Sequence, residues 1–362
     1  MNFYFLLQIR KVLNITLAWM FISIVFTICV YGVIYYNYGA SESLEKEFWL
    51  SIRTDVVATF VAGILGGSML VFVIGKYFKS KPYWYSMLMS LILFLIVFVI
   101  TYTTAATFYE SQRMPEDVSL TELFGKVLFR FTHLSILSSM LFWGLVVMGT
   151  QFMLQISDKF GPGVLWKFIT GKYSNPKSEQ RIFMFLDIRS STSIAEKLGS
   201  QRYFDLLKDF FADITLDILE SRGEIYQYVG DEIVISWPMN EGLRHRNCLR
   251  CFFRIKQTIQ KQSEKYMNQY DLVPDFKAGL HLGDITAGEI GVIKREIVYS
   301  GDTLNTAARI QGMCNHHQTD LLISKPLYDS LQLDHTLFAR ALGEIELRGK
   351  KEKMVLLSVQ DF

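Results

Sequence analysis

Four long apolar runs fill most of the first 157 residues of this 362-residue chain and restrict what it can fold into. Residues 12–36, 56–74, 84–108 and 131–153 each come close to, or exceed, the roughly 20 residues that an α-helix needs to cross a bilayer core. The alternative is a set of helices buried inside a soluble protein. Membrane spans are the better reading, because Tyr35, Tyr36, Trp49, Tyr83, Trp84 and Tyr109 gather near the ends, where amphipathic rings favour the interface. The first run is too long for a signal peptide, and no small-x-small cleavage site follows it.

Lysine and arginine set the expected orientation. Arg10 and Lys11 precede the first run, Lys76, Lys79 and Lys81 lie between the second and third, and Lys159, Lys167, Lys172 and Lys177 follow the fourth. The other loops, near 42–53 and 110–126, mix Lys46, Arg53, Arg113 and Lys126 with acids such as Glu42, Glu45, Glu47, Glu116 and Asp117. This predicts an integral protein of the cell (inner) membrane, in contact with lipid, with N-terminus and C-terminal half in the cytoplasm. Polar residues inside the runs are mainly Ser, Thr, Asn14 and His133, and no pair of charges suggests an ion pathway.

The rest of the chain has the charge pattern of a soluble domain, and a net charge of only +2 excludes a nucleic-acid-coating protein. Four cysteines are present, and Cys248 and Cys251 have CxxC spacing. They lie in an amphipathic helical pattern with no second ligand pair, so reduced cytosolic thiols are expected rather than zinc or redox chemistry. Residues 158–180 read as a connector, either a relay or a passive linker, and the domain proper begins at residue 181. Strands are predicted at 181–188, 224–229, 232–237, 275–282, 285–290, 296–299, 321–324, 341–347 and 355–359. Helices are predicted at 192–197, 202–221, from 238 to about 266, and at 303–313. Strands and helices mixed in this way give an α/β sandwich.

Candidate chemistry lies at three places. The first strand ends in FLDIRSST, with Asp187 at its tip; the hairpin YQYVGDEIVISW carries Asp231 in a Gly-Asp turn. If the strands are neighbours the carboxylates converge, and oxygen ligands of this kind suit Mg²⁺ or Mn²⁺. Two such ions, about 4 Å apart, can activate an attacking oxygen and hold a triphosphate. The loop Ile188, Arg189, Ser190, Ser191, Thr192, opening a helix, offers backbone N–H groups to phosphate. Taken alone, Asp187 could be only a helix cap. In YSGDTLNTAARIQG, Asn305 and Arg309 are spaced i, i+4 on one helix face, where a cap-like amide and a solvated charge are the plain alternative.

Together FLDIRSST, GEIYQYVGDEI, AGLHLGDITAGEIG, SGDTLNTAARI and LRGK resemble the catalytic domain of class III nucleotidyl cyclases, in that family's order and approximate spacing. The resemblance implies a ferredoxin-like α/β domain over residues 181–362, acting as a head-to-tail homodimer with composite active sites. It implies a membrane-bound adenylate cyclase that turns ATP into 3′,5′-cyclic AMP and pyrophosphate with two metal ions. Asp187, Asp231 and the Ile188 carbonyl then match the metal ligands, and Ser190, Ser191 and Thr192 the phosphate loop. Asn305 and Arg309 match the pair that orients the ribose and stabilises the transition state, and Lys350 the lysine on the terminal phosphates. Gln227 and Val298 occupy the base-reading positions, where neither the adenylyl nor the guanylyl pattern is present, so GTP stays open as substrate. A diguanylate cyclase, suggested by Val229-Gly-Asp-Glu-Ile233, lacks the Asn-x-x-x-Arg helix. An inactive membrane receptor is the remaining alternative.

Overall fold

The computed structural model describes residues 3–78, 81–113, 120–130, 132–161, 163–331, 337–346 and 353–361. The chain divides into two compact units, Met1–Phe160 and Gly161–Phe362.

The first unit is helical: α1 (Phe3–Tyr38), α2 (Glu42–Ser68), a π-helical stretch Met69–Ile74, α3 (Gly75–Tyr77), α4 (Tyr83–Arg113), α5 (Leu120–Arg130) and α6 (Leu134–Phe160). Four stretches, Phe5–Tyr38, Glu42–Tyr77, Tyr83–Gln112 and Ile136–Phe160, are long and apolar enough to cross a membrane. Three of them overshoot the runs read from the sequence, because the helical backbone continues into the polar residues beyond each apolar stretch. The fourth starts later, and His133 lies in the turn before α6 rather than inside a span. The helix α5 was not anticipated. Ser41 caps α2, accepting from the Leu44 N–H at 3.2 Å. Gly63 lets α1 and α2 meet, since a Cβ there would come within 2.7 Å of the Thr16 Cα. Trp19 of α1 is buried in the shared core and donates to Thr150 Oγ1 of α6 at 2.9 Å.

The second unit opens with α7 (Val164–Ile169) and continues as β1 (Lys177–Ile188), α8 (Ser191–Glu220), β2 (Glu224–Val229), β3 (Glu232–Pro238), α9 (Met239–Leu243), a 3₁₀ turn Arg244–Arg246, α10 (Asn247–Lys261) and α11 (Ser263–Tyr270). Then follow β4 (Phe276–Ile290), β5 (Glu296–Ser300), α12 (Asp302–Met313), β6 (Leu321–Ser324), α13 (Lys325–Ser330), β7 (Leu337–Ile345) and β8 (Met354–Asp361). The sheet runs β2-β3-β1-β4-β6-β8-β7, with β5 paired to β4. β3 lies between β1 and β2, and β1 between β3 and β4, each neighbour antiparallel. This pair of split β-α-β units is the ferredoxin-like arrangement.

Period-two alternation sorts the side chains of β1. Ile182, Met184, Leu186 and Ile188 enter the main core under α8, α10 and α11, where Leu206, Phe210, Ile214 and Ile218 repeat every fourth residue. Each such fully buried side chain contributes about 1.5–3 kcal/mol. Phe183 and Phe185 face the opposite way, with Ala307 of α12. Cys248 and Cys251 are core residues of α10, and burial pushes the Cys248 thiol up to about 12. Among the described residues no His, Cys, Asp or Glu group completes a metal cage around them.

Several boundaries differ from expectation. The helix expected from 238 to 266 is broken into α9, α10 and α11. The two strands expected around Gly283-Asp284 are one, β4, because β1 starts earlier than expected and its Gln180 and Lys177 partner Asp284 and Ala287. A kink at Gly199, φ +74°, separates the two helices expected within α8. Residues of the expected connector pack on the second unit. Lys167 lies 2.9 Å from Glu224, and the fully buried Tyr173 accepts through its carbonyl from the Glu289 N–H at 3.0 Å.

Candidate active site

Asp187 shares its face of β1 with Phe183 and Phe185, the face that α12 covers. Across the sheet it is paired with Glu232 of β3 on one side and Lys277 of β4 on the other. Asp231 precedes Glu232 in the two-residue turn joining β2 to β3, where Gly230 takes φ +65°. Three carboxylates therefore meet at one end of the β1–β3 pair, with one lysine among them. The Lys277 Nζ lies 3.3 Å from Asp187 Oδ2, and Gln311 Nε2 of α12 donates to the same oxygen at 2.9 Å.

The electrostatics follow from that crowding. Burial, then the neighbouring Asp231, hold the Asp187 carboxyl above its ordinary range, with Lys277 partly offsetting them. Burial and the charges of Asp187 and Asp231 push Glu232 up to about 7. A site that makes its own carboxylates reluctant to ionise is one that a cation would relieve. Two carboxylates and the Ile188 carbonyl suit a hard divalent ion, which keeps water and substrate oxygens as its remaining ligands.

The loop after β1 is tied to its surroundings. Ser190 adopts the left-handed conformation, φ +55°, at the N-cap of the long helix α8. Arg189 points away from the turn and fixes it. Its guanidinium donates to Asn315 Oδ1 (2.8 Å), the Thr319 carbonyl (2.7 Å) and Asp320 Oδ1 (3.0 Å), and its Nε lies 3.2 Å from Asp275 Oδ2. Ser190 and Thr192 are exposed and Ser191 half-buried, leaving the first turn of α8 open to a ligand. Tyr203 lies near Ser191, and its hydroxyl is held above its ordinary range by burial and by the Asp231 charge.

α12 docks closely because β4 has glycine where the helix crosses. A Cβ on Gly279 would come within 2.8 Å of the Ala307 carbonyl, and Thr303 Oγ1 donates to the Asp284 carbonyl at 2.7 Å. Thr306, Ala307 and Ile310 are buried by that contact, while Asn305 is exposed and Arg309 half-buried. Among the described residues no carboxylate pairs with Arg309, and no hydrogen bond joins Asn305 or Arg309 to Asp187 or Asp231. Gln227 is exposed on β2 just after a bulge, and Val298 is half-buried on β5 opposite Gly288. Each is one residue from a contacting pair, Tyr226 and Tyr299, whose ring centroids lie 4.8 Å apart. Lys350 lies outside the described residues.

Sequence reasoning did not assign roles to Lys277, Gln311 or Tyr203, and passed over Glu232 for its neighbour Asp231. Only strand register and helix docking bring these side chains to Asp187, across gaps of up to 124 positions.

Residues 174–359, half of the chain, match the family described as "Adenylate and Guanylate cyclase catalytic domain". "Adenylate cyclase 2" of Rhizobium meliloti (strain 1021) is 38% identical over 208 residues, covering 58% of this chain and 57% of that protein. "Receptor-type guanylate cyclase gcy-10" of Caenorhabditis elegans is 26% identical over 212 residues, 56% of this chain and 19% of that protein. The chain thus spans little more than half the length of the first relative, and less of the second. A solved bacterial light-regulated adenylyl cyclase shares the fold, with TM-score 0.53 and 20% identity over 63% of this chain and 66% of its own. With the family's fold and sequence pattern both present, the chain belongs to the adenylate and guanylate cyclase catalytic-domain family.

Proposed function

We propose that the chain is a membrane-bound adenylate cyclase converting ATP to 3′,5′-cyclic AMP and pyrophosphate. It works as a homodimer, with its N-terminus and catalytic unit in the cytoplasm. The observation that carries this reading is the crowding of Asp187 and Asp231 beside an open helix N-terminus. The likeness to "Adenylate cyclase 2" favours ATP over GTP.

Asp187, Asp231 and the Ile188 carbonyl would hold two divalent ions, Mg²⁺ or Mn²⁺, which supply charge neutralisation for the triphosphate and lower the pKa of the 3′-hydroxyl. Ser190, Ser191 and Thr192 present backbone N–H groups to the phosphates at the positive end of α8. Arg309 meets the charge that builds on the transferring phosphorus group, Asn305 orients the ribose, and Lys350 binds the terminal phosphates. Gln227 can donate to and accept from a purine edge, and Val298 offers an apolar wall. Asn305 is exposed and Arg309 half-buried on α12, which supports a site completed by a second copy.

The test is turnover by the full chain in membranes with Mn²⁺ and either ATP or GTP. Cyclic AMP from wild type, lost in Asp187→Asn and Asp231→Asn with folding intact, is the expected result. Cyclic GMP as the only product would move the reading to guanylate cyclase, and near-wild-type activity in either variant would overturn the metal assignment.

A further inference from the structure

The helical unit contains an acid that the apolar runs did not include. Asp55 immediately precedes the run at 56–74, but the structure places it inside the continuous helix α2, half-buried against α1. Thr27 Oγ1 of α1 lies 2.5 Å from its Oδ2, sharing its hydroxyl with the Ser23 carbonyl at 3.0 Å. Among the described residues no lysine, arginine or histidine pairs with Asp55. A carboxylate among membrane-crossing helices is costly and normally faces a partner or a functional cavity.

Asp55 faces two cavities. An inner one of about 180 Å³ is walled by Trp19, Phe94, Phe98 and Trp143, with Thr59 and Ser90 among its polar groups. An outer one of about 280 Å³ lies among Thr27, Tyr31, Ser51 and Tyr109, towards the α1–α2 connection. Asp55, Tyr102 and Ala105 line both, so the carboxylate stands where the polar vestibule meets the aromatic chamber. The π-helical stretch Met69–Ile74 supplies Met69 and Leu70 to the inner wall, and such departures from α geometry gather at functional sites.

We propose that this chamber binds a small organic cation, a protonated arylalkylamine, with Asp55 as its counter-ion. Aromatic walls favour both an apolar ring and a neighbouring positive charge. The volume agrees: a buried apolar cavity of about 150 Å³ accepts one benzene-sized ring, which leaves space for a short ammonium arm reaching Asp55. A lipid chain would have no use for the carboxylate, and a metal ion would find a single carboxylate there. The proposal concerns the helical unit and does not depend on the cyclase chemistry.

The probe is tritiated benzylamine, binding to the full chain in nanodiscs, with benzyl alcohol as the uncharged competitor. Wild type should bind benzylamine saturably, and benzyl alcohol should compete at least tenfold less well. Asp55→Asn should weaken binding about ten- to hundredfold, through loss of a charge-assisted contact. Ala62→Leu, which fills the inner chamber and leaves the carboxylate in place, should weaken it as well. Absence of saturable binding, equal binding by Asp55→Asn, or equal competition by benzyl alcohol would overturn the proposal. Displacement of benzylamine by a fatty acid and not by other amines would assign the chamber to lipid instead. If Asp55→Asn does not fold, the alcohol comparison and Ala62→Leu decide the matter.

Discussion

Replacing Glu232 by glutamine should stabilise the metal-free catalytic unit at high pH and leave it nearly unchanged at low pH. Glu232 sits opposite Asp187 and next to Asp231, and its carboxyl rises from an ordinary 4.5 to about 7. A carboxyl with a raised folded pKa favours the fold while protonated. That contribution is fully present below pH 4.5, where the unfolded chain is protonated too, and is lost as pH rises through about 7. At about 1.4 kcal/mol per pKa unit the full loss would be about 3 kcal/mol. The side chain is partly exposed, so solvent screening reduces this to about 1 kcal/mol. Glutamine carries no charge to penalise. The assay is urea unfolding of the full chain in detergent with EDTA, at pH 4.5 and pH 8.5. Hydrogen-exchange protection of β1 and β3 peptides would keep the reading on the second unit. Glu232→Gln should exceed wild type by about 1 kcal/mol at pH 8.5 and by little at pH 4.5, and added Mn²⁺ should narrow the gap. A difference independent of pH, or a variant less stable than wild type at pH 8.5, would refute the electrostatic account.

Three further outcomes are expected. Coexpressed Asp231→Asn and Arg309→Ala chains, each inactive alone, should regain about a quarter of wild-type activity. Random pairing of a twofold dimer makes half the dimers mixed, each with one intact site of two; mixed dimers shown by differential tags with no activity would end the composite-site reading. Gln227→Glu should shift the ATP/GTP rate ratio towards GTP by roughly one or two decades, the worth of one buried polar pairing at about 1–3 kcal/mol, and an unchanged ratio would make Gln227 a plain strand residue. Gly279→Val should destabilise the second unit by about 1–3 kcal/mol in the same unfolding assay, because its side chain meets the Gln311 backbone and the Ala307 carbonyl; wild-type stability would mean that α12 does not dock as described.

The two aspartates of the candidate site were legible before the structure, for identifiable reasons. Asp187 ends a strand whose alternation is plain, and Asp231 follows a glycine that marks a hairpin turn, so local signals located both. Lys277 gave no such signal. It lies within an ordinary strand and matters only because β1 and β4 pair in the register that sets it against Asp187. Gln311 shares a helix with Asn305 and Arg309, and only the close approach of α12 to β4 delivers its amide to Asp187. β4 was read as two strands because Gly283 and Asp284 are poor strand formers locally, a preference that pairing with the extended β1 overrides. Asp55 was passed over because a hydropathy run stops at a charge, whereas a helix does not.

Gln227 and Val298 stand apart from the parts that hold the fold together. Neither belongs to the buried clusters; one follows a bulge on an edge strand, and the other lies on β5, off the main order of the sheet. Asp187, by contrast, is bounded by three elements at once, β3, β4 and α12. If the proposed roles hold, selection could revise base choice through changes that cost little stability, while Asp187 and Asp231 stay under tight constraint. Members of such a lineage would be expected to diverge in nucleotide preference far more readily than in catalytic chemistry.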